Sequence, residues 1–102
     1  MYPVEDVKRL AGNPDTFAMF RTASDDALGF GLDDDDVRNV LGRIDQFEFL
    51  KSERTQKYHS GTMSDYCVGF VEECLTRMFI KFLIDDGILV VTSFKEDVQL
   101  GD

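Results

Sequence analysis

Lysine residues recur at or beside the predicted strands of this sequence, at Lys51, Lys81 and Lys95. Because successive side chains of a strand alternate between the two faces of a sheet, these cations can meet on one face or one rim. Cleavage of an RNA phosphodiester needs a base for the 2′-hydroxyl, an acid for the leaving oxygen and cations for the phosphate charge. The lysines therefore fit a phosphate-binding surface, although lysines at strand ends also protect sheet edges from pairing.

The segment that follows Lys51 adds further polar groups. Residues 51–59 are the basic window of the chain, because they hold three bases against a single acid, Glu53. Most of this window falls in a polar stretch, residues 55–62, that predicts a loop. The side chains placed beside Lys51 are those of Arg54, Lys57, Tyr58 and His59.

The composition is that of an acidic chain with enough apolar residues for one core. The 102 residues carry 20 acids and 11 bases, a net charge of −9, and 43% of them are hydrophobic. We expect a single domain over residues 1–102. An acidic protein repels nucleic acid at long range, so RNA binding requires a local basic patch and direct DNA binding is not expected. A basic partner protein is easier to accommodate.

Targeting, membrane and metal signals are absent from the sequence. The start is neither basic nor followed by an apolar stretch, and the longest apolar run, residues 87–91, is far too short to cross a bilayer. Cys67, Cys74 and His59 are too few for a zinc site, so we expect free buried thiols. A Cys–His nucleophile pair is disfavoured because cysteines on apolar strands usually pack. We therefore expect a cytoplasmic protein without a metal or cofactor.

Helical patterns occupy the first half of the chain and strand patterns the second. Residues 3–11 and 24–28 predict short helices, and a third helix opens at residues 32–37, where one of four aspartates caps it. A calcium loop is the alternative for these aspartates, but it needs spaced ligands and a closing glutamate. Residues 17–20 fit either a strand or the lead into a helix. Strands are predicted at residues 47–52, 64–71, 78–84 and 88–94, with a hairpin turn at 85–87. Alternation in the third of these strands predicts that Met78, Ile80, Phe82 and Ile84 share one face.

The order of these elements indicates the fold class. Consecutive strands with short links favour an antiparallel meander, and the helices must cover one of its faces. The sequence therefore predicts an α+β fold in which N-terminal helices pack on a C-terminal four-stranded antiparallel sheet.

Four short strings occur in the order and spacing of a known family. They are Leu28-Gly29-Phe30-Gly31-Leu32, Phe49-Leu50-Lys51-Ser52, Phe79-Ile80-Lys81 and Ser93-Phe94-Lys95-Glu96. With them, residues 4–97 resemble the MqsR (motility quorum-sensing regulator) toxins of bacterial toxin–antitoxin systems. Such toxins have a RelE-like fold and act as ribosome-independent mRNA interferases. The resemblance implies a toxin that cleaves single-stranded mRNA, inhibits translation and binds an antitoxin protein.

The resemblance also implies which positions act in catalysis. The family's two catalytic lysines fall on Lys51 and Lys95. Its glutamine falls on Ser64, and its third-strand tyrosine falls on Phe79, which keeps the ring but not the hydroxyl. General acid–base catalysis typically contributes ~10²–10⁴-fold, so a lost hydroxyl needs a substitute. The candidates for proton transfer are His59 and Tyr66, and those for RNA binding are Lys81, Arg54, Lys57 and Tyr58.

Two functions are compatible with these residues. The first is an mRNA endonuclease toxin whose activity is weakened by the replaced positions. The second is a catalytically inactive toxin fold that binds an antitoxin-like or regulatory partner. The retained lysines favour the first function, whereas Phe79 and the net charge of −9 favour the second.

Overall fold

The computed structural model describes residues 1–55 and 62–98. The first half of the chain forms helices α1 (Val4–Ala11), α2 (Arg21–Leu28) and α3 (Asp34–Leu41), with the short strand β1 (Phe17–Met19) between α1 and α2. The second half forms strands β2 (Glu48–Arg54), β3 (Met63–Val71), β4 (Thr76–Asp85) and β5 (Ile88–Glu96). The predicted helices and the four predicted strands are confirmed, with ends that differ by a few residues.

The sheet has five strands in the order β1-β5-β4-β3-β2, so the prediction of four antiparallel strands is wrong. Strands β2 to β5 pair antiparallel, but β1 runs parallel to β5, with Ala18 opposite Val90. A strand of three residues is too short to show an alternating pattern, and its partner lies at the other end of the chain. The sequence therefore left residues 17–20 undecided, and the sheet is mixed.

The three helices cover one face of the sheet, which we call the inner face. The prediction that Met78, Ile80, Phe82 and Ile84 share one face is confirmed, since the first three are buried in the core and Ile84 packs against it. The core between the two layers is formed by Val7, Leu10, Ala23, Ala27, Val37, Val40 and Leu41 from the helices and by Cys67, Val71, Met78, Ile80, Phe82, Leu89, Val91 and Phe94 from the strands.

Local sequence determines two of the element boundaries. Asp33 caps α3 by accepting a hydrogen bond from the backbone N–H of Asp36 at 2.9 Å, and Asp36 accepts one from Asp33 at 3.0 Å. This reciprocal cap confirms that the aspartate run begins a helix. At the β4–β5 hairpin, Asp86 and Gly87 both adopt positive φ angles, as a two-residue turn between twisted strands requires.

A bulge in β2 changes the face on which its side chains lie. Phe49 pairs with Cys67 and Lys51 pairs with Tyr66, so Leu50 is an extra residue in the ladder. In a regular strand, residues two apart share a face. Because of the bulge, Phe49 instead lies on the inner face and Lys51 on the opposite, outer face.

A second bulge occurs in β5, which is separated from β2 by β3 and β4. Lys81 pairs with Ser93 and Phe82 pairs with Val91, so Thr92 is the extra residue. Its hydroxyl donates a hydrogen bond to the carbonyl of Lys81 at 3.3 Å. Bulges are frequent beside functional sites, where they redirect a side chain. These two bulges lie next to the same cross-strand row, and that row is on the outer face.

Candidate active site

Cross-strand pairing places Lys51, Tyr66 and Lys81 side by side on the outer face. Lys51 lies opposite Tyr66, and Tyr66 lies opposite Lys81. The Nζ atoms of Lys51 and Lys81 are 4.8 Å and 5.2 Å from the centroid of the Tyr66 ring. Both distances lie within the range in which an aromatic ring attracts a cation. The tyrosine therefore holds two ammonium groups beside it, and we call these three residues the lysine–tyrosine row.

Phe79 and Lys95 extend this surface along β4 and β5. Phe79 lies two residues before Lys81 and so shares its face, and its partner on β5 is Lys95. The rings of Phe79 and Tyr66 are 5.6 Å apart at an interplanar angle of 55°. The outer face thus carries three lysines around two aromatic rings. Single-stranded nucleic acids are bound by this combination, since cations contact the phosphates and rings stack on the bases.

Glu53 belongs to the same surface, although the sequence reasoning did not identify it as a site residue. Its Oε2 is 2.9 Å from Nζ of Lys51, and both side chains are about half exposed. The hydrogen bond and the charge of Lys51 lower the pKa of Glu53, and hydrogen bonding from Tyr66 and the charge of Lys81 lower it further. The sequence did contain a signal for it: Glu53 is two residues after Lys51, and residues two apart in a strand lie on the same face.

Ser64, which the resemblance aligns with the family's glutamine, is shielded from solvent. It lies two residues before Tyr66 and is completely buried. Its hydroxyl shares a hydrogen bond with the hydroxyl of Thr55, which is also buried. Ser64 therefore connects the start of β3 to the residue after β2, and its hydroxyl is not exposed on the outer face.

The other candidates from the basic window do not join the lysine–tyrosine row. Arg54 follows Glu53 directly and pairs with Met63, so strand alternation directs it to the inner-face side of the sheet. Lys57, Tyr58 and His59 lie outside the described residues. In the part of the chain that the structure describes, the surface is built from residues of β2 to β5.

A buried carboxylate supports the row from the inner face. Asp65 is 2% exposed and accepts hydrogen bonds from the Ser52 hydroxyl at 2.5 Å and from the backbone N–H of Tyr2 at 2.7 Å. Ser52 directly follows Lys51, and Asp65 directly precedes Tyr66. The bond between them therefore joins β2 to β3 immediately behind the two outer-face residues and fixes their relative position.

The cysteines are poorly suited to nucleophilic chemistry. Cys67 is buried on the inner face, where burial and then the charge of Asp65 raise its pKa to about 12. The thiol is consequently protonated at neutral pH, whereas the thiolate is the reactive form. Cys74 is half-buried, and its Sγ lies 3.8 Å from the carbonyl of Val71. Both cysteines are free, as predicted, but only Cys67 is fully buried.

Metal-binding clusters and membrane-spanning helices are absent from the described residues. Within residues 1–55 and 62–98, no three His, Cys, Asp or Glu side chains gather in an arrangement that could hold a metal ion. In the same ranges, no helix has both the length and the apolar character that crossing a bilayer requires.

Comparison with known proteins places the chain in a family. A search of curated proteins finds no match. The family model for the motility quorum-sensing regulator, toxin of MqsA, matches residues 1–96, a range that includes every helix and strand described above. The chain therefore belongs to the MqsR toxin family and is the toxin of a toxin–antitoxin system.

Proposed function

We propose that this toxin cleaves single-stranded mRNA on the outer face of its sheet and thereby stops translation in the cytoplasm. The supporting observation is the lysine–tyrosine row, with Lys95 beside it, on a molecule whose net charge is −9. Such a protein repels a polyanion at long range, so its contact with RNA must be made at a local group of cations. Lys51, Lys81 and Lys95 form this group.

The lysines stabilise the phosphate charge in this proposal. In the transition state, negative charge develops on the phosphate oxygens, and fixed ammonium groups lower its energy. Lys51 and Lys81 are held on either side of one ring, so a phosphate above Tyr66 is within reach of both. Lys95 is opposite Phe79 and is placed to contact the neighbouring phosphate of the same strand.

In this proposal Tyr66 on β3 supplies the hydroxyl that Phe79 on β4 lacks. The family's tyrosine is replaced here by Phe79, but the ring of Tyr66 lies against the ring of Phe79 on the adjacent strand. A phenol can donate a proton to a leaving oxygen, and positioned proton donors contribute ~10²–10⁴-fold. The hydroxyl function has moved from β4 to β3 in this interpretation, and the site remains on the same surface.

Replacing Lys51 tests the proposal, and Arg54→Ala is its matched control. Both residues are exposed cations of β2, but Lys51 lies in the row and Arg54 on the other side of the sheet. We expect Lys51→Ala to reduce cleavage of an end-labelled, mixed-sequence RNA by at least ~100-fold, as loss of a transition-state contact does. Arg54→Ala should leave the rate within about threefold, because an isolated surface charge contributes little.

Expression in a bacterial host gives the corresponding test in cells. Growth arrest and RNA decay should follow induction of the wild type and of Arg54→Ala, and Lys51→Ala should remove both. Equal effects of the two variants, or intact RNA after incubation with micromolar wild-type protein, would contradict the proposal.

A second candidate function is supported by the absent hydroxyl of Phe79 and by the acidic surface. In this alternative the protein is inactive on RNA and acts by binding an antitoxin or a regulatory partner. A net charge of −9 suits a basic partner protein. Tight co-purification with the product of a neighbouring gene, together with unimpaired growth of cells that express the toxin alone, would favour this alternative over the nuclease.

A further inference from the structure

The proposed reaction needs a group that removes the proton of the attacking 2′-hydroxyl, and Glu53 is placed to do so. The hydrogen bond and charge of Glu53 raise the pKa of Lys51, so this lysine stays protonated at neutral pH and cannot accept the proton. Glu53 lies on the outer face with its carboxylate 2.9 Å from Lys51, and its side chain is 50% exposed. Lys81 and Tyr66 act on the same carboxylate from β4 and β3. An accessible anion therefore adjoins the place where the phosphate is proposed to bind.

We propose that Glu53 is the general base of this site and that Tyr66 is its general acid, an inference that rests on the proposed function. Glu53 takes the proton of the 2′-hydroxyl while the 2′-oxygen forms a bond to phosphorus. The bond between phosphorus and the 5′-oxygen breaks, and the Tyr66 hydroxyl gives its proton to that oxygen. The products are a 2′,3′-cyclic phosphate and a 5′-hydroxyl. The proton then passes from Glu53 to the Tyr66 phenolate, which restores both groups.

The charges around Glu53 make it responsive to the substrate. In the free protein Lys51 keeps the pKa of this carboxyl below its usual range, so the group is ionised at neutral pH. A bound phosphate competes for Lys51 and Lys81 and adds a negative charge next to Glu53. A neighbouring anion raises the pKa of a carboxyl group. RNA binding thus strengthens the base at the moment when a proton must be accepted.

An ordinary surface ion pair is the competing explanation for Glu53. Exposed pairs of Lys and Glu contribute little to stability, and such pairs are common on edge strands. In that case Glu53 only competes with the phosphate for Lys51. Removing the charge of Glu53 would then tighten RNA binding, and the cleavage rate would stay the same or rise. The two explanations therefore predict opposite changes in the cleavage rate.

The test compares Glu53→Gln with Glu48→Gln in single-turnover cleavage of a single-stranded RNA. Glu48 is an exposed acid of the same strand and the same face, and it lies 3.8 Å from Arg77 instead of a row lysine. Affinity is measured separately by fluorescence anisotropy with 2′-O-methyl RNA, which has no attacking hydroxyl. We expect Glu53→Gln to reduce the cleavage rate by ~10²–10⁴-fold and to keep or increase RNA affinity. Glu48→Gln should change the rate by less than about threefold.

The pH dependence of the rate adds a readout that a structural role would not change. The wild-type rate should fall as the pH drops through the pKa of Glu53 in the complex, because the protonated carboxyl cannot accept a proton. Glu53→Gln should lose this acid limb, and Glu53→Asp should retain it with an intermediate rate. Product analysis of the wild type should show a 2′,3′-cyclic phosphate end.

Each remaining result overturns the inference in a recognisable way. A Glu53→Gln protein that cleaves at the wild-type rate or faster shows that Glu53 is only a competing anion, and the nuclease function survives. Loss of cleavage accompanied by a comparable loss of affinity for 2′-O-methyl RNA shows a binding role. If the wild type itself leaves RNA intact, the proposed function fails together with the base.

Discussion

The two faces of the sheet are formed by neighbouring residues of the same strands, yet they differ in what holds them together. On the inner face, Met78, Ile80 and Phe94 are completely buried under the helices. On the outer face, the lysine–tyrosine row depends on cation–ring contacts and on one exposed ion pair. The inner face therefore supplies most of the stability, and the outer face is free to carry reactive groups at small cost to it.

Because of this division, activity and stability should respond separately to substitution. A change on the outer face should reduce activity without unfolding the protein, and a change on the inner face should do the reverse. Pairs of variants that make the same chemical change on opposite faces test this separation directly.

The largest expected effect comes from Tyr66→Phe, which removes one hydroxyl from the outer face. We expect cleavage to fall by ~10²–10⁴-fold, since the proposed proton donor is lost. The melting temperature should stay within about 2 °C, as for most surface substitutions away from special features. Single-turnover cleavage and thermal denaturation measure the two quantities.

Tyr2→Phe removes the same atom from the inner-face side and serves as the control. The Tyr2 hydroxyl donates hydrogen bonds to the carbonyls of Met63 and Ile84. We expect a loss of about 1 kcal/mol of stability, the usual net value of a hydrogen bond, with cleavage per folded molecule unchanged. Equal losses of activity in the two variants would remove the distinction between the faces.

Asp65→Ala should produce the largest change in stability. The substitution leaves the Ser52 hydroxyl and the backbone N–H of Tyr2 without their buried acceptor. A donor that loses its buried acceptor costs about 1–3 kcal/mol when it is left unsatisfied. Because Ser52 and Tyr2 are only partly buried, we expect a loss near the lower end for each, about 2–3 kcal/mol in total, in urea denaturation. Glu72→Ala, at an exposed turn carboxylate, should lie within about 0.5 kcal/mol of the wild type. A mild effect at Asp65 would mean that water replaces the carboxylate.

The smallest effect is expected at Leu75 in the turn between β3 and β4. Leu75 is 78% exposed and has a φ of 53°, a left-handed conformation that costs a non-glycine residue roughly 1 kcal/mol. We expect Leu75→Gly to stabilise the protein by about 0.5–1 kcal/mol, with no change in cleavage. A destabilised variant would show that the exposed side chain makes contacts that outweigh the strain.

The sequence predicted those parts of the fold that repeat a pattern. Alternation along residues 78–84 identified the inner face of β4, and Asp86-Gly87 identified the hairpin, because both signals are local. Strand β1 was left undecided since three residues carry no period. The sequence also did not predict that the ring of Phe47 packs onto Gly69. This ring lies 2.7 Å from the position that a Cβ atom on Gly69 would occupy.

The candidate site was predicted only as a set of residue types. Lys51, Lys81, Lys95 and Tyr66 were all named from the sequence, but their positions relative to one another depend on the two bulges. A bulge results from ladder pairing between distant segments, so a single strand does not reveal it. Glu53 was seen only as the single acid of a basic window, because its proximity to Tyr66 and Lys81 requires the register of three strands.

The extra residues Leu50 and Thr92 also affect which sequence changes the fold can accept during evolution. Each interrupts the alternation of side chains between the two faces, so the pattern before the bulge does not determine the faces of the residues after it. Apolar substitutions at Phe47, Leu89 or Val91 can repack the interior without turning Lys51 or Ser93 away from solvent. Deletion of Leu50 would make Phe49 and Lys51 adjacent. Adjacent residues of a regular strand lie on opposite faces, so a shortened relative would keep Phe49 on the inner face and Lys51 on the outer face.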